Sequence, residues 1–182
     1  MANMLKDKVV LVTGAGGGIG RALALLAAKE GAKVVVNDLG GAVDGEGSGN
    51  VSAAQKVCDE IKALGGQAVP NGDSVADPAG AERMIKAGVE NFGRIDGVIN
   101  NAGILRDRIF HRMSHMDWKM VIDVHLNGSF NTSRAAANYF KEQKSGAFVH
   151  FTSTSGLVGN FGQANYSAAK MGIVGLSRSI AL

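Results

Sequence analysis

The sequence predicts an α/β fold, a doubly wound parallel sheet of the dinucleotide-binding type, and three observations carry that prediction. Short apolar runs at 9–12 and 34–36 suit strands buried on both faces, as parallel strands are. The first run feeds directly into a glycine-rich turn and then into a stretch of helical period through Ile19, Leu23, Leu26 and Ala27. Strand-like and helix-like segments then alternate five times along the chain, which is the pattern of a sheet with helices on both faces.

Taken in order, strand 9–12, the turn from Thr13, a helix closed by Gly31 and strand 34–36 make one βαβ unit. The segment 39–50 holds five glycines and reads as a loop, followed by a helix over about 51–64. A third strand near 67–70 carries the weakest signal. Asp77-Pro78 reads as an N-cap with proline at the first helical position, and Gly93 as that helix's end. A fourth strand follows at 95–100. Ser114 and Asp117 have the spacing of a capping box, opening one long helix through Trp118, Ile122, Leu126 and Phe130. A fifth strand lies at 147–152, and the chain is helical from Asn165 onward. Trp118 and its neighbouring methionines are expected in the core, as is Cys58, which shares helical spacing with Ala54, Ile61 and Leu64.

Composition bounds the function. A chain of 182 residues suffices for one domain with a real core. The net charge of +3 is not gathered into a basic stripe, which argues against a nucleic-acid partner. No apolar run reaches membrane-spanning length and no signal peptide precedes the first strand, so a cytoplasmic protein with no membrane partner is expected. One cysteine rules out a disulfide framework and a cysteine-based zinc site, and no metal is expected. His111 and His115 lack the companion glutamate of a zinc-protease helix and read as surface residues, while His150 reads as a buried structural histidine.

The stretch from Thr13 to Gly20 reads T-G-x-x-x-G-x-G at a strand-to-helix junction. Glycines there let the backbone approach a pyrophosphate, and the helix N-terminus offers free N–H groups and partial positive charge. The strict G-x-G-x-x-G fingerprint is not matched, and a glycine turn by itself could be a tight connection. Asp38 strengthens the ligand reading. It ends the second strand eighteen residues after Gly20, where a carboxylate accepts from ribose hydroxyls and repels a 2′-phosphate, so NAD is expected over NADP. A solvated strand-end aspartate is the plain alternative.

Tyr166 and Lys170 stand one helical turn apart and share a face. Ser153 lies thirteen residues upstream at the end of the fifth strand, where open α/β sheets place ligand-contacting residues. A tyrosine of ordinary pKa ~10 is under ~0.1% ionised at neutral pH, so a base needs help. An ammonium at ~4 Å supplies about 4 kcal/mol at an effective dielectric of ~20, enough to provide it. No serine is flanked as G-x-S-x-G, so a hydrolase elbow is absent.

Together, T-G-x-x-x-G-x-G, Asn100-Asn101-Ala102-Gly103, Ser153 and Tyr166-x-x-x-Lys170 resemble the short-chain dehydrogenase/reductase superfamily over 8–182. The resemblance implies a sheet in order 3-2-1-4-5 and NAD held by Gly14, Gly18, Ile19 and Gly20 at the pyrophosphate. Asp38 would then bind the ribose, Asp73 and Ser74 would flank the adenine, and Asn100 the adjoining backbone and ribose. It also implies Tyr166 as acid/base, Lys170 holding tyrosine and nicotinamide ribose, and Ser153 orienting the substrate oxygen. The family's catalytic asparagine maps to His125, leaving open a proton-relay role for its imidazole or a role for its backbone carbonyl alone. The segments Val35–Gly41, Gly103–Arg108 and Gly159–Tyr166 further resemble the (3R)-hydroxyacyl-CoA dehydrogenase unit of peroxisomal multifunctional enzyme type two and its bacterial single-domain relatives. That implies oxidation of a (3R)-3-hydroxyacyl-CoA, a homodimer or homotetramer, and a peroxisomal site if the source is eukaryotic. Arg106 and Arg108 are candidates for CoA phosphates. Against this stand a dehydrogenase of another secondary alcohol, such as a steroid or cyclic alcohol, and a non-catalytic NAD-binding scaffold. Residues 1–182 are expected to form a single domain, incomplete at its C-terminus, whose fifth strand is left at the sheet edge.

Overall fold

The structure, a computed structural model, describes residues 3–41, 44–45 and 52–182. Most of the expected glycine loop 39–50, and the first residue of the helix after it, lie outside the described residues.

Five strands form one parallel sheet in the order β3-β2-β1-β4-β5, as the resemblance implied. They are β1 (Val9–Val12), β2 (Lys33–Asn37), β3 (Gln67–Asn71), β4 (Gly97–Asn100) and β5 (Ala147–His150). β1 is central, with Val10 opposite Val34 of β2 and Leu11 opposite Val98 of β4. Alternation along β1 divides the core in two. Val10 and Val12 join Val34, Val36 and the buried faces of α1 (Gly18–Lys29) and α2 (Ser52–Ala63). Val9 and Leu11 join Val35, Met84 and Ile85 of α3 (Pro78–Phe92), and Ala136 of α5 (Gly128–Gln143). A strand apolar at every position is thus satisfied on both sides, which fixes the three-layer architecture.

The caps read from sequence are present. Asp77 accepts from Ala79 N–H and Gly80 N–H, Gly93 turns left-handed at φ 81°, and Ser114 and Asp117 form a reciprocal capping box. Cys58 is fully buried, and burial pushes its thiol up to about 11, so it is inert core. Asp96, at the foot of β4, accepts from Val9 N–H and Arg94 and pairs with Lys8, tying the starts of β1 and β4 together.

Several expectations are corrected. The single long helix from Ser114 is interrupted: α4 (His115–Ile122) passes through a wide π turn at Asp123–Asn127 before α5 begins. Trp118 and Met116 face outward, at 40% and 65% exposure, and Leu64 lies beyond the covered end of α2. On α1 the buried face is Gly20, Ala24 and Ala27, while Ile19 and Leu26 are exposed. Small residues there let the helix lie close on the sheet. A short helix α6 (Thr154–Val158) precedes α7 (Ala164–Ile180). No helix among the described residues is long and apolar enough to cross a membrane.

Candidate active site

The carboxyl ends of β1, β2 and β4 open on a cleft of about 680 Å³. Gly14, Gly16, Gly17 and Gly18 form one wall, and Asp38, Asp73, Ser74, Ala102, Gly103 and Ile104 are among the other lining residues. Close approach explains the glycines: a Cβ on Gly20 would stand 2.2 Å from the Gly14 carbonyl oxygen. The N-terminus of α1 has no side-chain cap, and nothing lies within 4 Å of where a side chain on Gly17 or Gly18 would be. Uncapped N–H groups and open space at a helix N-terminus suit a diphosphate. Asp38 faces the same cleft with its carboxylate fixed by Gly16 N–H (2.7 Å) and Gly40 N–H (2.8 Å), each oxygen keeping capacity for a further donor. These residues therefore fit a dinucleotide.

Two of the sequence assignments change meaning. Asn100 does not face the cleft; its side chain turns towards α5, donating to Ser133 (3.1 Å) and accepting from Thr132. Its neighbour Asn101 lines the cleft instead, donating to the Thr13 and Gly14 carbonyls, while the Thr13 hydroxyl accepts from Asn101 N–H and Ala102 N–H. In an Asn-Asn pair at a strand end the alternation decides which faces out, and strand bounds read from sequence are too coarse for that. Asp73 and Ser74 line the cleft as expected, but the Asp73 carboxylate is taken by Arg83 and Asn71.

Tyr166 and Lys170 share one face of α7 beside the end of β5. The Lys170 ammonium donates to the Phe151 carbonyl (2.7 Å) and lies 5.5 Å from the centre of the Tyr166 ring. Thr152 donates to the Lys170 carbonyl (2.9 Å), and Gly156 of α6 sits so close to Lys170 that a Cβ there would be 3.1 Å from the lysine Cβ. Ser153 is the N-cap of α6, its hydroxyl accepting from Ser155 N–H at 3.2 Å. Burial lowers Lys170 to about 8.

His125 completes the group from the π turn. Its ring meets the Tyr166 ring edge-on at 5.1 Å. Its Nε2 stands 2.8 Å from the Ile104 carbonyl oxygen and 3.1 Å from Ile104 N, bridging to the loop after β4. A Cβ on Gly103 would strike this ring at 2.4 Å, so only glycine admits it. Burial, then the nearby Lys170 charge, lower His125 to about 4, leaving the imidazole neutral at physiological pH. The His125 carbonyl already accepts from the Ser129 hydroxyl (2.6 Å) and Gly128 N–H.

The short chain dehydrogenase family model matches residues 8–182. The chain belongs to the short-chain dehydrogenase family. It is an oxidoreductase family whose members use a nicotinamide dinucleotide. Among relatives, the chain is 55% identical over 178 residues to a short-chain type dehydrogenase/reductase of Mycobacterium tuberculosis, covering 98% of this chain and 62% of that protein. It is 55% identical to peroxisomal multifunctional enzyme type 2 of Mus musculus, across 100% of this chain and 24% of the enzyme. It is 54% identical to the peroxisomal hydratase-dehydrogenase-epimerase of Saccharomyces cerevisiae, across 97% of this chain and 19% of that protein. The solved structure of a short chain dehydrogenase from Mycobacterium avium superposes with a TM-score of 0.86 at 49% identity, over 94% of this chain and 63% of that one. The chain thus spans less than two thirds of the length of each of these proteins.

Proposed function

We propose that this short-chain dehydrogenase interconverts a secondary alcohol and a ketone with NAD, with a (3R)-3-hydroxyacyl-CoA as the alcohol. The observation that carries the reading is the contact of Tyr166 with both Lys170 and His125, the latter packed against Gly103 and Ile104 of a cleft that Asp38 also lines. NAD, when bound, supplies the hydride acceptor for oxidation and its reduced form the donor for reduction. The protein's part is proton transfer and positioning. The Tyr166 phenol takes or returns the proton of the substrate oxygen, which needs only one acid/base group within hydrogen-bond reach. Lys170, charged and packed beneath the tyrosine ring, biases the phenol towards releasing that proton and offers a donor to the cofactor ribose. Ser153 orients the substrate oxygen.

His125 acts through its imidazole in this reading, because its carbonyl is already engaged twice. His125→Asn should keep more activity than His125→Ala, since it keeps a polar side chain in the pocket beside Gly103. His125→Ala, which removes the one hydrogen bond that Nε2 can make to the Ile104 backbone, should lose about tenfold in kcat, as expected for one lost buried hydrogen bond of ~1.5 kcal/mol. Equal and severe loss in both would point to packing alone.

Asp38 supports NAD over NADP: its carboxylate sits where a 2′-phosphate would meet it, and no Lys or Arg lies between Thr13 and Gly18. Asp38→Ser should narrow the NAD-to-NADP preference about tenfold or more, by relieving like-charge repulsion and removing a charged acceptor worth ~1.5–3 kcal/mol. A parent that already prefers NADP in side-by-side titration would contradict this assignment.

The acyl-CoA substrate and a homodimer or homotetramer rest on the sequence resemblance, and the names of the Mus musculus and Saccharomyces cerevisiae relatives, each called peroxisomal, support a peroxisomal location. One observation favours the second reading, another secondary alcohol such as a steroid. The Arg106 guanidinium is largely buried against Asp117, which leaves Arg108 as the only one of the two expected phosphate ligands held at the surface. Initial rates of the full-length protein with (3R)-3-hydroxyacyl-CoA thioesters, the matching free acids, and steroid or cyclic alcohols decide between them. Faster turnover of the free alcohols than of the thioesters would overturn the acyl-CoA assignment.

A further inference from the structure

The first turn of α7 holds one side chain that takes no part in the chemistry above. Asn165 is fully buried. A side-chain amide tolerates that only if its polar atoms are matched, and here they are. Its Oδ1 accepts from Tyr166 N–H at 2.8 Å. Its Nδ2 donates to the Arg106 carbonyl at 3.0 Å and the Asp117 carbonyl at 3.1 Å. The opposite amide orientation would set Nδ2 against an N–H and Oδ1 against two carbonyl oxygens, so the partners dictate this one.

Those partners belong to three separate elements. Tyr166 N–H is among the helix-start donors that no intrahelical carbonyl serves, and Asn165 serves it. Asp117 is in α4, and Arg106 is in the loop after β4. That loop is pinned at alternate residues. Ile104 is bridged to His125, Arg106 is held by Asn165 and by Asp117, and Arg108 N–H donates to the Gly162 carbonyl at 2.9 Å. Between them, Asp107 accepts from Gln163 at 2.8 Å. Asn165 is the one side chain in this group that bonds directly to the backbone of Tyr166.

We infer that Asn165 is a positioning residue: its amide fixes the first turn of α7 against the Arg106 and Asp117 backbone, and so sets where the Tyr166 phenol stands. The inference rests on the assignment of Tyr166 as acid/base. A displacement on the order of 1 Å at a reacting group costs about a hundredfold in rate, so loss of this anchor is expected in kcat rather than in cofactor affinity. The chemistry of the site also distinguishes amide from carboxylate. Asp at this position has nearly the same shape, but its ionised form faces two carbonyl oxygens and can donate to neither. Protonation restores one donor, so the defect of Asn165→Asp should shrink as pH falls.

The test measures kcat on the best substrate from the panel above, and dinucleotide affinity by fluorescence titration, for the full-length protein. Asn165→Ala should lose about tenfold to a hundredfold in kcat with cofactor affinity within about threefold of the parent. For Asn165→Asp, the ratio of variant to parent kcat should climb at least about fivefold from pH 8 to pH 6, as a buried carboxyl takes up its proton. Tyr166→Phe is measured alongside. An active Tyr166→Phe would refute the acid/base assignment itself. An inactive Tyr166→Phe combined with a fully active Asn165→Ala would overturn the positioning role alone. A flat pH ratio, equal loss of cofactor binding, or failure of both Asn165 variants to fold would overturn it too, since each would make Asn165 a general structural residue.

Discussion

Tyr166→Phe should lower kcat about 10³-fold or more while leaving NAD affinity within about twofold, because the change removes the proton-transfer group and nothing else. The ring itself is well supported: it meets His125 edge-on, lies against the Lys170 ammonium, and packs on the cluster of Ile104, Val121 and Ala169. Phenylalanine keeps each of those contacts and loses only the hydroxyl. The cleft proposed for the dinucleotide is walled by the α1 turn, Asp38 and the β4 loop, none of which the substitution touches. Stopped-flow or steady-state rates together with a binding titration check both halves of the expectation. Turnover within tenfold of the parent would remove Tyr166 from the mechanism.

Lys170→Met should also abolish most turnover, yet make the protein more stable at neutral pH. Burial holds Lys170 at about 8, against 10.5 for an exposed lysine, so the folded state binds that proton less tightly than the unfolded chain does. Between those two values the unfolded chain carries more protons, and stability rises with pH. At and below pH 8 the whole cost of a buried ammonium stands, on the order of 3 kcal/mol. Its hydrogen bond to the Phe151 carbonyl is lost in the variant, which offsets part of the gain and leaves about 1–2 kcal/mol. Chemical denaturation at pH 7 and at pH 10 separates the contributions: the advantage of the variant should be largest at pH 7 and shrink towards pH 10. A variant less stable than the parent at pH 7 would mean that the lysine is no burden to the fold. This is the usual conflict between activity and stability located in one side chain.

What could be read from the sequence was whatever depends on near neighbours. The buried strands show as uninterrupted apolar runs, the Asp77 and Ser114 caps as local spacing, and the glycine turn as a strand-to-helix junction. The π turn at Asp123–Asn127 was hidden, because Ile122, Leu126 and Phe130 keep helical spacing through it. Its neighbourhood is set by contacts from far along the chain, with the His125 ring lodged against Gly103 and Ile104. Periodicity names the face of a helix but not what covers it, which is why Trp118 and Met116 are exposed and why α1 buries glycine and alanine rather than Ile19. At the site, the residue types and spacings of Ser153, Tyr166 and Lys170 sufficed to bring them forward. Asn165 stood in plain view beside Tyr166, but its partners are 59 and 48 residues away, and only the folded chain brings them together.

The junction between Thr13 and Asn101 has a mechanical consequence. On one side of it lies the glycine turn proposed to hold the dinucleotide, and on the other the loop that runs to His125 and Asn165, and through them to Tyr166. Four hydrogen bonds from Asn101 and Ala102 to Thr13 and Gly14 join the two. The cofactor support and the proton-transfer support are therefore springs in series, so their compliances add. The softest link sets how sharply the distance between hydride and phenol is held, however rigid the others are. Most of the packing lies in the sheet and the helices flanking it, whereas the loop is held mainly by polar contacts and the small cluster of Ile104, Val121 and Ala169. In this fold, catalytic precision thus depends on a few polar contacts and one small cluster outside the main core, and it can degrade while the melting temperature barely moves.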